Sequence, residues 1–262
     1  MFGLLFFMKI PEIFIPNKTV TKRTFGIIAL FEVIITFIIW QLRTTSLVPS
    51  PSEILSAFPN LWNDGFGQEL ITSFKLCMQA IALTAFISLV VVYTTVMPIF
   101  QPIAEAFSKG RFLGLVGLSF IFTLISNSAH ELKLMMLVFG MSVFYITSML
   151  SVVKGIPKGD FDYARTLRMS EWRIVWEVVI RGRLSVAIDA LQQNFAIGWT
   201  MLTTVEGIAR GEGGIGKMLL DSNKHFALAD IFAIQISIFV LGLLIDYAIG
   251  LLNRTLCPYA FF

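Results

Sequence analysis

The chain has 262 residues, of which 56% are hydrophobic and only 14% are charged, and its mean hydropathy is +0.79. A soluble domain has about a quarter of its residues charged, because charges are needed to cover its surface. The composition therefore excludes an ordinary soluble protein and indicates a membrane protein. The net charge of +3 gives no indication of a nucleic-acid partner. Cys77 and Cys257 lie at no spacing typical of a disulfide framework or a metal site.

Six apolar runs are each long enough, or nearly so, to cross a hydrocarbon core about 30 Å thick. They fall at about 25–42, 71–97, 112–128, 132–153, 186–205 and 228–252. The apolar N-terminus lacks the basic start and the cleavage site of a secretory signal, so we expect a short interfacial segment there. Residues 1–24 as a whole are interpreted as a cytoplasmic N-terminal segment. The prediction is an all-α integral membrane protein with about six transmembrane helices. Its transmembrane domain covers 25–257, and 258–262 form a cytoplasmic tail.

The distribution of positive charge predicts the orientation of these helices. With both termini cytoplasmic, fourteen of the twenty Lys and Arg residues lie in the inner segments, and seven of these lie in the loop 154–185. Inner loops of membrane proteins are enriched in Lys and Arg. The opposite orientation would require that loop to cross the membrane with seven positive charges, so both termini are predicted to be inside.

The loop after the first span has the pattern of a helix start. Ser50 and Glu53 have the spacing of a capping box, and Pro51 stands at the first helical position. The apolar residues that follow share one face: Ile54, Leu55, Phe58, Leu61 and Trp62. This predicts an amphipathic helix, which either lies on the outer membrane surface or packs on other loops.

The basic loop 154–185 contains a second amphipathic pattern. Residues 160–176 are predicted to be helical, with an apolar stripe formed by Phe161, Ala164, Leu167 and Trp172. A basic amphipathic helix beside a membrane either lies on anionic lipid or docks onto a soluble partner. The pattern alone leaves both readings open.

The stretch from Asp162 to Trp172, which reads DYARTLRMSEW, resembles the "EAA" loop of importer permeases, typically EAARTLGASxW. The sequence VVIR at 178–181 resembles the family's VVLP. PSPSEIL at 49–55 and the sixth span, from Gly242 to Arg254, resemble permeases of the nitrate, sulfonate and taurine type. The resemblance covers roughly 45–258. It implies the type I ABC importer permease fold, with this loop as the coupling helix that docks on an ATP-hydrolysing subunit.

The resemblance assigns coupling to Asp160, Asp162, Tyr163, Ala164, Leu167 and Arg168. This chain departs from the family pattern at four positions. Asp162 replaces glutamate, Tyr163 replaces alanine, Arg168 replaces glycine and Arg181 replaces proline. The change at Arg168 removes a residue that tolerates a tight turn. Either the partner's groove differs, or this chain is the divergent half of a heterodimer.

A glycine-rich loop, Gly211 to Met218, matches two nucleotide-binding patterns, GxGxxG and GxxxxGK. A phosphate loop needs Ser or Thr after the lysine and a strand before it. Met218 and a preceding membrane span meet neither need, so we predict a tightly packed, gate-like loop. His130 and His225 have no ligand cluster around them. We therefore expect no metal, no cofactor and no catalytic residue, with ATP and Mg²⁺ bound by the partner.

The fifth span has a polar stripe on one side of a predicted helix, formed by Asp189, Gln193, Thr200, Thr203 and Thr204 together with Ala196. Polar groups are costly in lipid, so this stripe should face other helices or water. It is interpreted as the lining of a translocation path. The alternative is interhelical hydrogen bonding by Gln, Asn and Thr.

The resulting hypothesis is the permease subunit of an importer in a prokaryotic inner (plasma) membrane. Its implied partners are a cytoplasmic ATPase, a second permease subunit (in a homodimer or heterodimer), an external solute-binding protein and membrane lipid. The resemblance implies a small anion such as nitrate, bicarbonate, taurine or a sulfonate. The alternatives are a secondary transporter or channel without an ATPase, and a non-transporting or regulatory half of a heterodimer. A polytopic membrane enzyme would need a cluster of His or acids near the interface, and none is present.

Overall fold

The computed structural model describes residues 21–41 and 48–260, so predictions for most of the 1–24 segment and the end of the tail lie outside the described residues. The chain divides into two compact units, Met1–Glu53 and Ile54–Phe262. Within the described residues the regular structure is entirely helical.

The first unit contains α1 (Lys22–Gln41) and the start of α2 (Pro51–Asn63). The predicted capping box is confirmed. The Ser50 amide donates to Glu53 Oε2 at 2.7 Å, and the Glu53 amide donates to Ser50 Oγ at 3.3 Å. These bonds satisfy amides that the first turn of a helix leaves without partners. A local sequence signal therefore determines where α2 begins.

The second unit is a bundle of helices around α6. After α2 come α3 (Phe66–Thr94), α4 (Gln101–Lys109), α5 (Leu115–Ile125), α6 (Ala129–Lys154), α7 (Lys158–Thr166) and α8 (Glu171–Ile174). A π-helical segment (Val175–Arg181) leads into α9 (Leu184–Ile208), which is followed by α10 (Ile215–Lys224) and α11 (Leu228–Leu256). Helix α6 packs between α3 and α9, while α11 and α10 pack on α9.

Close contact between α6 and α9 depends on small and polar groups. Gly198 lies beside Met141, and a Cβ at that glycine would come within 2.5 Å of the Met141 sulfur. The Asn194 side-chain amide donates to the Met141 carbonyl at 3.0 Å. Small residues let helices approach, and buried amides hold them together in membranes. Part of the polar content of α9 therefore serves helix packing.

Four described helices are long and apolar enough to cross a membrane: α1, α3, α6 and α11. At the third predicted span the helices Pro98–Phe112 and Leu115–Ile125 form a pair bent by 113°, which has the geometry of either a broken span or a re-entrant loop. Helix α9 has 25 residues and is long enough to cross a membrane. Because of its polar stripe, it is not among the four helices that are also apolar enough. The number of spans and their orientation remain predictions.

Helix α2 packs through one side only. Ile54, Ala57 and Leu61 are buried, whereas Leu55 and Trp62 are exposed. The predicted apolar face is therefore divided between protein contacts and an exposed edge. The buried side agrees with packing on protein, and a position on the outer membrane surface stays a prediction.

Candidate functional site

The coupling loop is a short helix that ends in a tight turn. Helix α7 stops at Thr166, and the Met169 amide donates back to the Ala164 carbonyl at 3.3 Å while the Arg168 amide donates to the Arg165 carbonyl at 2.9 Å. These two bonds form a Schellman motif with Arg168 at its left-handed position, where φ is +58°. The prediction of a continuous helix over 160–176 was therefore wrong.

Arg168 retains a turn that glycine would make more easily. A left-handed conformation costs a residue with a Cβ about 1–2 kcal/mol, and glycine avoids that cost. The substitution therefore leaves the turn in place and adds strain and a charge. Sequence reasoning identified the departure from the family pattern, but the hydrogen bonds that preserve the turn appear only in three dimensions.

Ion pairs join the two sides of this turn. Arg165 contacts Glu171 at 3.0 Å and Asp162 at 3.2 Å. The hydrogen bond from Arg165 lowers the pKa of the Glu171 carboxyl below its ordinary value of 4.5. At the base of the loop, Arg183 contacts Asp160 at 2.8 Å and so connects α7 to the start of α9. The loop is therefore tied to the bundle and is not a flexible linker.

The six predicted coupling residues lie on one short segment but differ in exposure. Ala164 is buried, Asp160 is partly buried, and the other four are exposed: Asp162, Tyr163, Leu167 and Arg168. A cavity of about 400 Å³ lies behind them and is lined by Asp160, Tyr163, Ala164, Leu167, Met169, Glu177, Val178, Gly182 and Arg183. The four exposed positions all lie within 162–168, and two of them, Tyr163 and Leu167, line this cavity.

The segment that follows the turn is a π-helix, a conformation that is rare and often found at functional sites. It spans Val175–Arg181, and the Gly182 amide closes it on the Glu177 carbonyl at 2.9 Å. A Cβ at Gly182 would approach the Val178 carbonyl to 2.7 Å, so glycine is required here. Arg181 stands where the family has proline, and its carbonyl accepts a bond from the Tyr259 hydroxyl at 3.1 Å.

The polar stripe of α9 faces away from the core of this chain. Asp189, Gln193, Thr200 and Thr204 are exposed and Thr203 is partly buried. The opposite side of the helix is buried through Ala187, Ala190, Asn194, Phe195, Gly198, Trp199, Leu202 and Val205. The structure therefore places the five predicted path residues together on one open face. Their role in a translocation path stays a prediction.

Several of these polar groups already have partners. Asp189 accepts a bond from the Asn253 amide at 2.5 Å, which connects α9 to α11. Thr200 and Thr203 donate to carbonyls of their own helix, at 2.8 and 3.0 Å. A cavity of about 360 Å³ lies between α9 and α10, lined by Thr203, Thr204, Gly207, Ile208, Gly216, Leu219, Leu220 and Asn223. The C-terminal part of the stripe, Thr203 and Thr204, therefore borders this cavity.

A buried carboxylate joins three helices, and sequence reasoning missed its role. Glu206 at the end of α9 is fully buried. Its Oε1 accepts from the Ser73 hydroxyl of α3 at 2.5 Å, and its Oε2 accepts from the Gly216 amide of α10 at 2.8 Å. Ser73 Oγ also accepts from the Ile215 amide at 2.8 Å. The only sequence signal was one acid at the end of an apolar span.

Charged residues of α6 and α3 hold the glycine-rich loop in place. The Lys133 ammonium, fully buried on α6, donates to the Gly213 carbonyl at 2.7 Å, and the Gly214 amide donates to Glu69. Gly213 and Gly214 have φ of +80° and +110°, which favour glycine. At Gly216, a Cβ would collide with the Thr203 backbone. The glycines thus allow close packing beneath α10.

His130 belongs to a small polar contact at the same end of the bundle. Its Nδ1 lies 3.0 Å from Glu212 and its Nε2 lies 3.1 Å from Gln79. His225 contacts the carbonyl of Asp221 at 2.8 Å. Among the residues at 21–41 and 48–260, no group of three or more His, Cys, Asp and Glu side chains could hold a metal ion.

The fold is shared with a solved transporter structure. A crystal structure of an amino acid ABC transporter with histidines superposes with a TM-score of 0.62, at 17% identity, over 77% of this chain and 98% of the other. At that identity the likeness establishes the fold alone, which is that of an ABC-transporter permease. It agrees with the type I permease fold expected from the sequence.

The chain belongs to the family "Binding-protein-dependent transport system inner membrane component", whose model matches residues 24–256. It is 29% identical over 102 residues to the bicarbonate transport system permease protein CmpB of Synechococcus elongatus, covering 39% of this chain and 37% of that protein. CmpB of a Synechocystis species is 24% identical over 123 residues, 44% of each. The carnitine transport permease protein OpuCB of Listeria monocytogenes is 24% identical over 110 residues, 41% of this chain and 49% of that one. The matches thus span less than half of these relatives.

Proposed function

We propose that this ABC importer permease subunit carries a small solute across a prokaryotic inner membrane, driven by ATP that a separate subunit hydrolyses. The observation that carries the proposal is the geometry of the coupling loop. A short helix ends in a hydrogen-bonded turn and is tied by ion pairs to α8 and to the base of α9. A rigid element of this kind can transmit movement of a soluble partner to the membrane helices, whereas a flexible linker could not.

The proposed translocation path runs along the open face of α9. Its polar groups, Asp189, Gln193, Thr200, Thr203 and Thr204, would be costly against lipid. A second permease subunit facing this stripe would enclose a polar pathway. The solute would reach it from an external binding protein, and the termini of this chain would lie in the cytoplasm.

Bicarbonate or a similar small anion is the proposed solute. The closest support comes from the CmpB relatives, which their names link to bicarbonate transport. The cavity between α9 and α10 is lined by Thr203, Thr204 and Asn223 together with the apolar side chains of Ile208, Leu219 and Leu220. None of its eight lining residues is aromatic, whereas aromatic rings are the usual partners of quaternary ammonium ions such as carnitine.

The first test is purification of the tagged chain from its native membrane in mild detergent, with mass spectrometry of the proteins that co-purify. We expect an ATPase subunit at near-equal stoichiometry. Ala164→Glu should remove it, because Ala164 is buried behind the coupling surface and a charge there cannot be accommodated. Ala106→Glu is a matched control, since Ala106 is exposed on α4 and lies outside the predicted spans, and it should retain the ATPase.

A second measurement separates the importer from the transporter and channel alternatives. Labelled bicarbonate uptake into proteoliposomes that contain the purified complex should require ATP and a binding protein. Uptake driven by a gradient, in a preparation without ATPase, would favour a secondary transporter. Intact ATPase binding without transport by this chain would favour a regulatory half.

A further inference from the structure

The coupling loop has more positive charge than its own acids can pair. Four of the seven cations of 154–183 form ion pairs: Lys154 with Glu105, Arg165 with Asp162 and Glu171, Arg181 with Glu177, and Arg183 with Asp160. Lys158, Arg168 and Arg173 are exposed and form no ion pair within the described part of the chain. Each of the loop's acids is engaged, so the free charge on this surface is positive.

Two of these three cations occupy positions that folding disfavours. Lys158 is the first residue of α7, where the positive end of the helix dipole repels a cation. Arg168 occupies the left-handed position of the turn, which is sterically unfavourable for a residue with a Cβ. Within the described residues, neither side chain forms a hydrogen bond or an ion pair that offsets this cost. Residues at positions unfavourable for folding, without a compensating contact in the folded chain, are expected at functional sites.

The loop has a second, chemically different edge, which indicates where the membrane lies. Trp172 and Trp176 line a cavity of about 440 Å³ together with Phe86, Val90 and Tyr93 of α3. Tryptophan beside the apolar side chains of a membrane helix is typical of the membrane interface. The Tyr163 and Leu167 side chains instead line the cavity that includes Asp160, Glu177 and Arg183. The two sides of the loop therefore differ in chemistry, one being aromatic and the other charged.

We propose that the ATPase surface that receives this loop is acidic, with carboxylates opposite Lys158, Arg168 and Arg173. This inference rests on the proposed function, and it adds the chemistry of the partner. The exposed side chains of Tyr163 and Leu167 would provide the apolar part of the contact, and the three exposed cations would provide electrostatic complementarity.

A protein partner fits this surface better than anionic lipid. A lipid-binding helix has an apolar face and a polar face dominated by cations. Here Asp162 and Glu171 lie among the cations and are held in place by Arg165. An alternation of fixed charges with a small apolar centre matches a protein surface of defined shape and would reduce attraction to a uniformly negative membrane.

The test uses two nearly isosteric substitutions that both tolerate the left-handed turn, Arg168→Asn and Arg168→Asp. They preserve the turn and differ in charge. The probe is the ATPase that co-purifies with the wild-type chain, purified and titrated onto the chain in nanodiscs of neutral phosphatidylcholine. We expect affinity to fall about 3-fold for Arg168→Asn and about 30-fold for Arg168→Asp. Wild-type affinity should fall as salt rises from 50 to 500 mM. Lys224→Asp, on α10, is the control and should have no effect.

Equal affinities for the Asn and Asp variants, or a wild-type affinity independent of salt, would overturn the proposal while leaving the importer function intact. An effect of Arg168→Asp that appears only in phosphatidylglycerol nanodiscs would identify lipid as the partner and would also overturn it. Failure of any ATPase to co-purify with the wild type would instead remove the proposed function itself.

Discussion

At the scale of single residues, Arg168 has a left-handed backbone conformation that is strained for a residue with a Cβ. Arg168→Gly should raise the free energy of opening the α7 turn by about 1 kcal/mol, because glycine adopts φ near +58° without a steric cost. Hydrogen exchange at the Met169 amide, which closes the turn on Ala164, measures this change. Arg168→Ala retains a Cβ in the left-handed region and should give no such gain. Equal protection in the two variants would show that the turn is unstrained.

Two buried serines of α3 offer a matched comparison. Ser73 donates to Glu206 and accepts from the Ile215 amide, so Ser73→Ala leaves two buried groups without a partner. We expect a loss of about 1–3 kcal/mol in the free energy of unfolding. Ser88 is equally buried, but its hydroxyl has no hydrogen-bond partner. Ser88→Ala should therefore be neutral or slightly stabilising. Thermal unfolding in detergent measures both, and equal midpoints would contradict the role assigned to Glu206.

At the scale of elements, the junction between α7 and α8 should depend on pH. Arg165 lowers the pKa of Glu171, so this ion pair contributes stability above the ordinary value of 4.5 and loses it as pH falls through the lowered folded value. Amide protection over 164–171 should therefore be full at neutral pH and decrease below about pH 4.5. Glu171→Gln should have weaker protection at neutral pH and a flatter profile. Coincident profiles for the two proteins would contradict the coupling of α7 to α8.

At the scale of the whole molecule, the predicted topology places the coupling loop and α10 on opposite sides of the membrane. Lys158→Cys should react with a membrane-impermeant maleimide only in inverted vesicles, and His225→Cys only in intact cells. Background should be low, because Cys77 and Cys257 are both buried. Reaction of both variants from one side would contradict the predicted orientation and the even number of spans.

Much of the architecture follows from local pattern. The apolar runs predicted α3, α6 and α11 because long apolar helices have one stable location. The capping box predicted the start of α2 because Ser50 and Glu53 are neighbours in the chain. The stripe at Asp189, Gln193 and Thr200 could be recognised because helical periodicity alone determines which side chains share a face.

Tertiary structure decided the rest, because it depends on partners that are distant in sequence. Glu206 and Ser73 are separated by 133 residues, and no periodicity relates them. The break after Thr166 depends on hydrogen bonds within a turn whose glycine signal is absent. The sequence by itself determined the class of protein and the faces of its helices, since both depend on local hydrophobicity. Only the folded chain decided which polar groups are joined in its interior and which cations remain free for a partner, since both depend on which side chains meet.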